Sequence, residues 1–372
     1  MGWTSYELGE LLSYEQPTAY IVESTDYSDS YSVPVLTAGK SFILGYTNET
    51  AGVFDELPVI IFDDFTTATQ YVNFPFKVKS SAMKILHINT DLVLPKYIYY
   101  RMQIIQFDHS THKRYWIQEY SKIKVTIPSL PEQERIVARI EELFSQLDAG
   151  VETLKKMKAQ LAVYRQAVLK EAFSKCKNTV TIASVTQHVT DGDHMPPPKA
   201  DSGVPFIMIS NIEGNNICWE NTAFVGRNYY ESIDSKRKPQ IGDVLYTVTG
   251  SYGIPVLVDF DKEFCFQRHI ALLRPRDTIE QKYLYYALME PGVYAQATKG
   301  ATGTAQKTVG LGVLRKIEIP FIHERSEQMR IVENIESKLS VCDSIEQTVD
   351  TALQQAEAMR QSILKDAFEG RL

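Results

Sequence analysis

Basic residues beside aromatic or imidazole side chains are the groups in this sequence that could carry out recognition chemistry. One cluster is Lys113-Arg114-Tyr115, and another is Arg268-His269, which follows the strand-like run Phe264-Cys265-Phe266. Cations bind phosphate oxygens, and guanidinium or aromatic groups reach base edges or stack on bases. These clusters indicate a groove that binds nucleic acid, although any one of them alone also fits a solvated surface run.

Hydroxyl side chains form a second group, directly after the strand predicted at 243–246. They are Thr247, Thr249, Ser251 and Tyr252, with Gly250 and Gly253 between and after them. Glycine lets a loop approach a groove closely, and hydroxyls donate to or accept from base edges. Lys307 lies on a later polar loop, which matches Lys113-Arg114-Tyr115 in position. We predict that Arg268 or Lys307 binds phosphate or a guanine; the alternative is that Arg268 pairs with an acid such as Asp259.

Motifs for catalysis are incomplete. Asn73-Phe74-Pro75-Phe76 is similar to the motif with which amino-methyltransferases hold a flipped base, but its second residue is Phe and no glycine-rich cofactor turn accompanies it. The run from Gly300 to Thr308 ends like a P-loop, but Gln306 stands where glycine is required before the lysine. The cysteines share no metal-ligand spacing and are predicted to be free thiols. We therefore predict no catalytic residue, no metal and no cofactor on this chain.

Composition sets the broad class. The chain has 372 residues, 44% hydrophobic and 23% charged, which suffices for two or more cores. Its net charge of −7 argues against a protein that coats nucleic acid indiscriminately, and it leaves site-specific binding open. No apolar run approaches the roughly 18 residues of a membrane span, and no secretory signal is visible at the N-terminus. These features predict a cytoplasmic protein.

An internal repeat organises the elements that must position these groups. Glu132-Gln133-Glu134-Arg135-Ile136-Val137 returns as Glu327-Gln328-Met329-Arg330-Ile331-Val332, 195 positions later. The same offset relates the run from Arg165 to Phe173 to the run from Arg360 to Phe368. A period this long exceeds the roughly 20 to 50 residues of solenoid repeats. It predicts two large half-molecules related by a pseudo-two-fold axis.

Each repeat predicts a long helix. Apolar residues recur at steps of three and four from Ile136 and again from Ile331, which is the pattern of a coiled-coil seam. Helices of about 39 residues would reach roughly 58 Å, so we predict that the two pair in antiparallel fashion. The seam residues predicted are Leu143, Leu147, Leu154 and Leu161 in the first helix, and Leu339, Val349, Leu353 and Met359 in the second.

The remaining segments are mixed α/β. The runs 57–62 and 123–127 suit strands and 95–102 suits a helix. The second half repeats the order loosely, since 204–209 parallels 33–37, 243–248 parallels 57–62 and 282–286 parallels 96–100. The predicted fold class is α+β, with globular domains at 1–130 and 174–322, a central helix at 131–173 and a C-terminal helix at 323–372.

These motifs resemble a known family. The run from Ile127 to Val137, its long helix and the closing Ala172-Phe173 are similar to the central spacer of specificity subunits of type I restriction–modification enzymes, and the run from Ile363 to Leu372 is similar to their C-terminal spacer. Asp191-Gly192-Asp193-His194 and Gly242-Asp243-Val244-Leu245 resemble that family's target recognition domains. The first half lacks the Asp-Gly-Asp-His string, and the second lead-in is three residues longer.

The resemblance implies a DNA-reading subunit without chemistry of its own. Each globular domain would read one half of a bipartite, asymmetric site in double-stranded DNA, and the helices would set the gap. Two methyltransferase subunits that bring S-adenosylmethionine would dock on the helices, and motor-nuclease subunits that use ATP and Mg²⁺ would join to cut unmodified DNA. The alternative from a different class is a non-catalytic coiled-coil adaptor with two protein-binding domains.

Overall fold

The protein forms two compact units. The computed structural model describes residues 3–37, 41–108, 113–194, 197–304 and 306–372. The first unit comprises Met1–Leu154 with Thr351–Leu372, and the second is Lys155–Asp350. Each unit therefore joins one globular domain to part of both long helices. The domain limits at 130, 173 and 322 stay a prediction, because this division cuts both helices in their middle instead of at their ends.

Among its described residues, the first half contains three small sheets and two short helices before the long one. Its strands are β1 (Thr4–Glu7), β2 (Leu12–Glu15), β3 (Val33–Leu36), β4 (Ile43–Thr47), β5 (Val59–Asp63), β6 (Thr69–Val72), β7 (Lys77–Val78), β8 (Met83–Ile88) and β9 (Lys124–Ile127). Its helices are α1 (Leu8–Leu11), α2 (Pro95–Met102) and α3 (Leu130–Phe173), with 3-10 turns at Pro17–Tyr20 and Tyr120–Lys122. The sheet orders are β2-β8-β5-β6, β4-β3-β7 and β1-β9.

The second half repeats this plan. Its strands are β10 (Asn178–Thr181), β11 (Thr186–Asp191), β12 (Lys199–Ala200), β13 (Val204–Ile207), β14 (Ile212–Glu213), β15 (Asn216–Ile217), β16 (Ala223–Val225), β17 (Val244–Thr247), β18 (Pro255–Leu257), β19 (Cys265–Phe266), β20 (Ile270–Pro275) and β21 (Glu318–Phe321). Its helices are α4 (Ile182–Val185), α5 (Arg227–Ser232), α6 (Gln281–Leu288), α7 (Pro291–Gly300), α8 (Leu311–Leu314) and α9 (Arg325–Phe368), with 3-10 turns at Ile209–Asn211 and Ser235–Arg237. The sheet orders are β11-β20-β17-β18, β12-β16-β13-β19, β10-β21 and β14-β15.

Both domains build their core on the central strands of the four-stranded sheet. In the first, β5 is a run of β-branched and aromatic residues buried on both faces, and α2 covers one face. Pro95 opens α2, where its missing N–H costs nothing. In the second domain, β17 and α6 take these places. The predicted strands and helices of both domains are thus present in the predicted order.

In the first unit, the start of α3 packs against the end of α9. The Arg360 guanidinium lies 4.2 Å from the centre of the Phe144 ring and forms an ion pair with Asp148. The ring of Phe368 meets Tyr97 of α2 edge-on, with 5.2 Å between centroids. Gly370, at φ 73°, ends α9 in the left-handed conformation that glycine favours. The two helices run antiparallel here, as predicted.

The second unit contains the corresponding contacts of the other two helix ends. Arg165 pairs with Asp343 at 2.6 Å and with Glu346 at 2.9 Å. Phe173 meets Tyr283 of α6 edge-on at 5.4 Å. Arg165 and Asp343 lie 195 positions from Arg360 and Asp148 respectively. The same pair of contacts is therefore made once in each unit, which is the exchange expected of a pseudo-two-fold repeat.

The structure places Leu147, Leu154, Leu161 and Val349 of the predicted seam on one stripe of the two helices and leaves Met359 outside it. One stripe of buried or partly buried residues recurs every seven positions, and it contains Gln133, Ile140, Leu147, Leu154, Leu161 and Val168 in α3 and Gln328, Ile335, Cys342, Val349, Ala356 and Ile363 in α9. Leu143, Leu339 and Leu353 are partly buried beside this stripe. Met359 is 53% exposed, because the inner position of its turn belongs to Arg360 and one residue rotates the side chain by about 100°.

Buried glutamines attach each domain to the start of its helix. The Gln133 carbonyl accepts from the Leu94 N–H at 2.8 Å, and its amide donates to the carbonyls of Leu92 and Pro128. Gln328 repeats the arrangement. It accepts from the Glu280 N–H and donates to the carbonyls of Thr278 and Ile322. The loop before α2 or α6 is therefore bonded directly to the long helix at this joint.

Candidate nucleic-acid interface

Three loops of the second domain are hydrogen-bonded into one surface, which we term the second loop cluster (248–253, 267–269 and 306–309). The Val248 N–H donates to the His269 carbonyl at 2.9 Å, and the Val309 N–H donates to the Val248 carbonyl at 2.8 Å. Gly250, at φ 70°, donates its N–H to the Lys307 carbonyl at 2.9 Å. The structure thus brings together the segments that carry the predicted residues of the second half.

The side chains of this cluster divide by exposure. Arg268, Lys307 and Ser251 are exposed, and His269 and Tyr252 are partly exposed. Tyr252 stacks on Tyr294 with 5.8 Å between ring centroids. Thr247 and Thr249 are buried, so they are wrong as base contacts. Their hydroxyls instead accept hydrogen bonds from the Ile254 N–H and the Thr308 hydroxyl, and so shape the loop.

The Asp-Gly-Asp-His string supports the loop that carries Arg268. The Arg268 N–H donates to the Asp193 carbonyl at 3.1 Å, and the Asp193 N–H donates to the Phe266 carbonyl at 3.0 Å. A Cβ on Gly192 would collide with the Phe266 carbonyl, so this close approach requires glycine. No ion pair joins Arg268 to Asp259 in the described part of the chain, which leaves the guanidinium at the surface.

Carboxylates behind this loop orient the neighbouring basic groups. Asp191 lies 2.8 Å from Nε2 of His194 and 3.6 Å from the Arg237 guanidinium. Tyr229 donates its hydroxyl proton to Asp193 at 2.7 Å, and burial followed by this hydrogen bond raises the pKa of Tyr229. Burial, and then the charge of Arg268, lowers the pKa of His269. Both effects favour the neutral imidazole, which can donate one hydrogen bond and accept another.

Two clefts open beside Arg268 and share His194, Arg268 and His269 in their walls. One has a volume of about 400 Å³ and an apolar floor that includes Phe206, Met208 and Phe224. The other, of about 350 Å³, adds Thr249, Gln306 and Thr308. Guanidinium, imidazole and amide groups match the acceptors and donors that base pairs present in the major groove. His194 and Gln306 line these clefts but were not among the predicted contacts, because only the fold brings them beside Arg268.

The first domain has a loop cluster built on the same hydrogen bonds. The Asp64 N–H donates to the Ala82 carbonyl at 3.1 Å, and the Tyr115 N–H donates to the Asp64 carbonyl at 2.9 Å. Asp64, Ala82 and Tyr115 therefore correspond to Val248, His269 and Val309. It follows that Lys113 corresponds to Lys307, two residues before the bonded position in each domain.

The predicted DNA contacts of the first half differ in exposure. Arg114 is exposed. Lys113 is partly exposed and forms an ion pair with Glu119. Tyr115 is buried in the core beside Phe107 and Trp116 and is wrong as a base contact. Its ring fills the place that Val309 fills in the second domain, so an aromatic residue next to two cations marks the core here and not the surface.

Other site types receive no support from the described residues. In the ranges that the structure describes, no three His, Cys, Asp or Glu side chains are placed to hold a metal ion. None of the helices in those ranges combines the length and apolar character needed to cross a bilayer. Phe76 of the Asn-Phe-Pro-Phe run is buried against Phe54, 5.1 Å between ring centroids, as part of the core.

Comparisons with known proteins agree on one family. The family model described as "Type I restriction modification DNA specificity domain" matches residues 1–162 and 172–355 of this chain. The specificity subunit of the Escherichia coli type I restriction enzyme EcoR124I/EcoR124II is 34% identical, over 91% of this chain and 87% of that protein.

Solved structures agree in fold. A chain from a structure of complex assembly and conformational transition of the type I R-M system has a TM-score of 0.73 and 18% identity, over 100% of this chain and 98% of that one. The HsdS subunit of Thermoanaerobacter tengcongensis has a TM-score of 0.51 and 18% identity, over 100% of this chain and 97% of the other.

Proposed function

This chain belongs to the family of type I restriction–modification DNA specificity proteins, and from that premise we propose that its two domains each read one half of a bipartite, asymmetric DNA site. The observation that carries the proposal is the repeated loop cluster. Two of its backbone bonds recur at equivalent positions in both domains, whereas its exposed side chains differ. The same backbone arrangement with different exposed side chains suits two half-sites that differ in sequence.

The long helices are proposed as the ruler and the docking site. Half-sites read from one face of DNA lie about 34–36 Å apart, one helical turn, and each helix of 44 residues extends roughly 66 Å. Because the Arg165–Asp343 pair of one unit returns as Arg360–Asp148 in the other, the helices offer the same surface twice. Two copies of one partner, the methyltransferase subunit, fit such a surface.

Chemistry is proposed to reside on the partners. The methyltransferase subunits bring S-adenosylmethionine, motor-nuclease subunits bring ATP and Mg²⁺, and this chain supplies recognition without catalysis. The place of action is the cytoplasm, where chromosomal DNA lies. The rival, an adaptor with two protein-binding domains, would not require exposed cations at the same backbone frame in both domains.

The proposal is tested by expressing the chain with its methyltransferase subunits and sequencing the methylated positions of the host DNA. We expect one split sequence with two unlike halves. Filter binding of the purified chain to random DNA at several salt concentrations gives the second arm. An adaptor should show no salt-sensitive binding to DNA, and the absence of any split methylated sequence would reject the proposed reading mechanism.

A further inference from the structure

We propose that the exposed loop Lys79-Ser80-Ser81 of the first domain contacts base edges and sets the sequence of the half-site that this domain reads. Together with Ala82, which follows it, the loop is the counterpart of Gln267-Arg268-His269 in the second domain, with Lys79 at the place of Gln267 and Ala82 at the place of His269. The inference rests on the proposed function, and it assigns readers to the domain whose sequence lacks the Asp-Gly-Asp-His string.

The strands before the two loops are paired in the same register. In the first domain, β3 and β7 run parallel, with Leu36 opposite Val78. In the second, β13 and β19 run parallel, with Ile207 opposite Phe266. The next N–H then returns to the facing strand in both cases. Lys79 donates to the Leu36 carbonyl and Gln267 donates to the Ile207 carbonyl, each at 3.0 Å.

The strands after the loops are also equivalent. Asp63 lies opposite Met83 in the β5–β8 pair, and Thr247 lies opposite Ile270 in the β17–β20 pair. The bonds from the Asp64 N–H to Ala82 and from the Val248 N–H to His269 close the two loops at the same point. Both loops are therefore held at both ends by matching bonds, and the first is longer by one residue.

The loop is exposed, whereas the two lysines on the neighbouring strands are buried. Lys77 is buried, with its ammonium 2.6 Å from the Ala51 carbonyl and 2.9 Å from Glu49. Lys84 is buried against Asp64 at 3.3 Å. Lys79, Ser80 and Ser81 are exposed, and none of the ion pairs found among the described residues includes Lys79. Of these three lysines, Lys79 alone presents its charge at the loop surface.

The chemistry of the loop suits base edges. An ammonium donates three hydrogen bonds, and each serine hydroxyl donates one and accepts others. The Ser80 hydroxyl accepts a long bond from the Ala82 N–H at 3.4 Å, which helps to hold the turn while its proton stays available to donate. The second domain has an amide, a guanidinium and an imidazole at this place. The two loops therefore predict different sequences for the two half-sites.

The test compares Ser81→Ala and Lys79→Ala with Arg268→Ala, each expressed as the full chain with its methyltransferase subunits. Lys124→Ala, which removes an exposed lysine of β9 in the same domain, is the matched control. Methylated positions are sequenced, and binding is measured on the wild-type site and on singly mismatched duplexes. Loss of one base contact should reduce discrimination at one position by roughly 5- to 150-fold.

We expect Ser81→Ala and Lys79→Ala to relax positions in one half of the methylated sequence, and Arg268→Ala to relax positions in the other. Wild-type discrimination in both loop variants would overturn the inference. Uniform weakening without relaxation would place the loop on phosphates and would also overturn its role in reading bases. If the wild-type complex methylates no split sequence, the proposed function itself fails. If the wild-type complex methylates a split sequence and the two loop variants methylate the same sequence without relaxation, only the inference about the loop fails.

Discussion

Arg268 and Lys307 are the exposed cations of the second loop cluster, and they differ in what they can recognise. A guanidinium can bind a guanine in bidentate fashion, whereas an ammonium acts as a point charge. We expect Arg268→Ala to cost about 1–3 kcal/mol on the cognate duplex and to relax one position. Lys307→Ala should weaken binding to all sequences and lower the salt slope by about one.

Lys316→Ala, which removes another exposed lysine of the same domain, is the control for both variants. Binding is measured at several salt concentrations on cognate and singly mismatched duplexes. Wild-type affinity and wild-type salt slope in both Arg268→Ala and Lys307→Ala would remove these residues from the interface.

The buried Asp64–Lys84 ion pair has no counterpart in the second domain, where Val248 and Ala271 stand at the equivalent positions. Breaking a buried pair by removing one partner costs about 3–5 kcal/mol, because the other charge is left unpaired. We expect Lys84→Met to lower the free energy of unfolding of the first domain by this amount. Asp64→Asn/Lys84→Met should recover at least half of the loss, since Asn removes the charge and still accepts from the Trp116 N–H.

Tryptophan fluorescence can isolate this domain. Trp3 and Trp116 lie in the first half and Trp219 in the second, so urea unfolding on a Trp219→Phe background reports the first domain. If Lys84→Met unfolds like the wild type, the pair does not stabilise this domain.

At single residues, sequence reasoning succeeded where exposure follows from charge and failed where it follows from the fold. Arg268, Lys307 and Arg114 are at the surface, as their charges suggest. Thr247 and Tyr115 are buried. A strand covered on both faces hides its hydroxyls, and a large ring fills the core even between polar neighbours, so neither position can be recognised without knowing what packs over it.

The seam of the long helices gives a prediction with an internal control. Leu154 belongs to the stripe that recurs every seven positions between the helices, whereas Met359 is exposed. Leu154→Asp places a charge between the helices, and we expect aggregation or loss of assembly with the methyltransferase subunits. Met359→Asp should leave the unfolding temperature unchanged, because this side chain lies outside the seam. Thermal unfolding measures the stability of the two variants, and size-exclusion chromatography with the partner measures aggregation and assembly of Leu154→Asp. A soluble, assembled Leu154→Asp protein contradicts the seam.

The glutamine joints can be tested with a nearly isosteric change. Gln133→Glu keeps the acceptor but replaces two N–H donors with a charge that faces the carbonyls of Leu92 and Pro128. Leaving buried carbonyls unsatisfied costs about 1–3 kcal/mol each, so we expect a loss of at least about 2 kcal/mol. Gln354→Glu, on the exposed face of α9, should be neutral. Equal unfolding midpoints in urea for the two variants would falsify the role of this joint.

Among the elements, the predictable ones were segments with periodic apolar residues and segments that begin at a proline. The repeat with its seven-residue stripe predicted α3 and α9 to within a few residues, and Pro95 marked the start of α2. The order of strands within each sheet was not predictable. Pairs such as β3 with β7 join residues that are distant in sequence, and no local pattern in a two-residue strand reveals its partner.

For the whole molecule, independence of the two readers is the property to test. The second domain has its own core and its own loop cluster. Replacing residues 174–322 with the equivalent domain of another specificity subunit should change one half of the methylated sequence and leave the other half unaltered. The reciprocal exchange of residues 1–130 is the control and should change only the other half. Simultaneous change of both halves would show that the readers are coupled.

The ion pairs between α3 and α9 give the protein a second equilibrium that responds to ionic strength, besides any contact with DNA. Arg165 and Arg360 are partly exposed and their partners Asp343 and Asp148 are exposed, and the attraction within such surface ion pairs weakens as the salt concentration rises. A plot of binding constant against salt concentration therefore combines counterion release from DNA with loosening of the helices. Differences in slope between matched variants count phosphate contacts, whereas the absolute slope of the full chain overstates them.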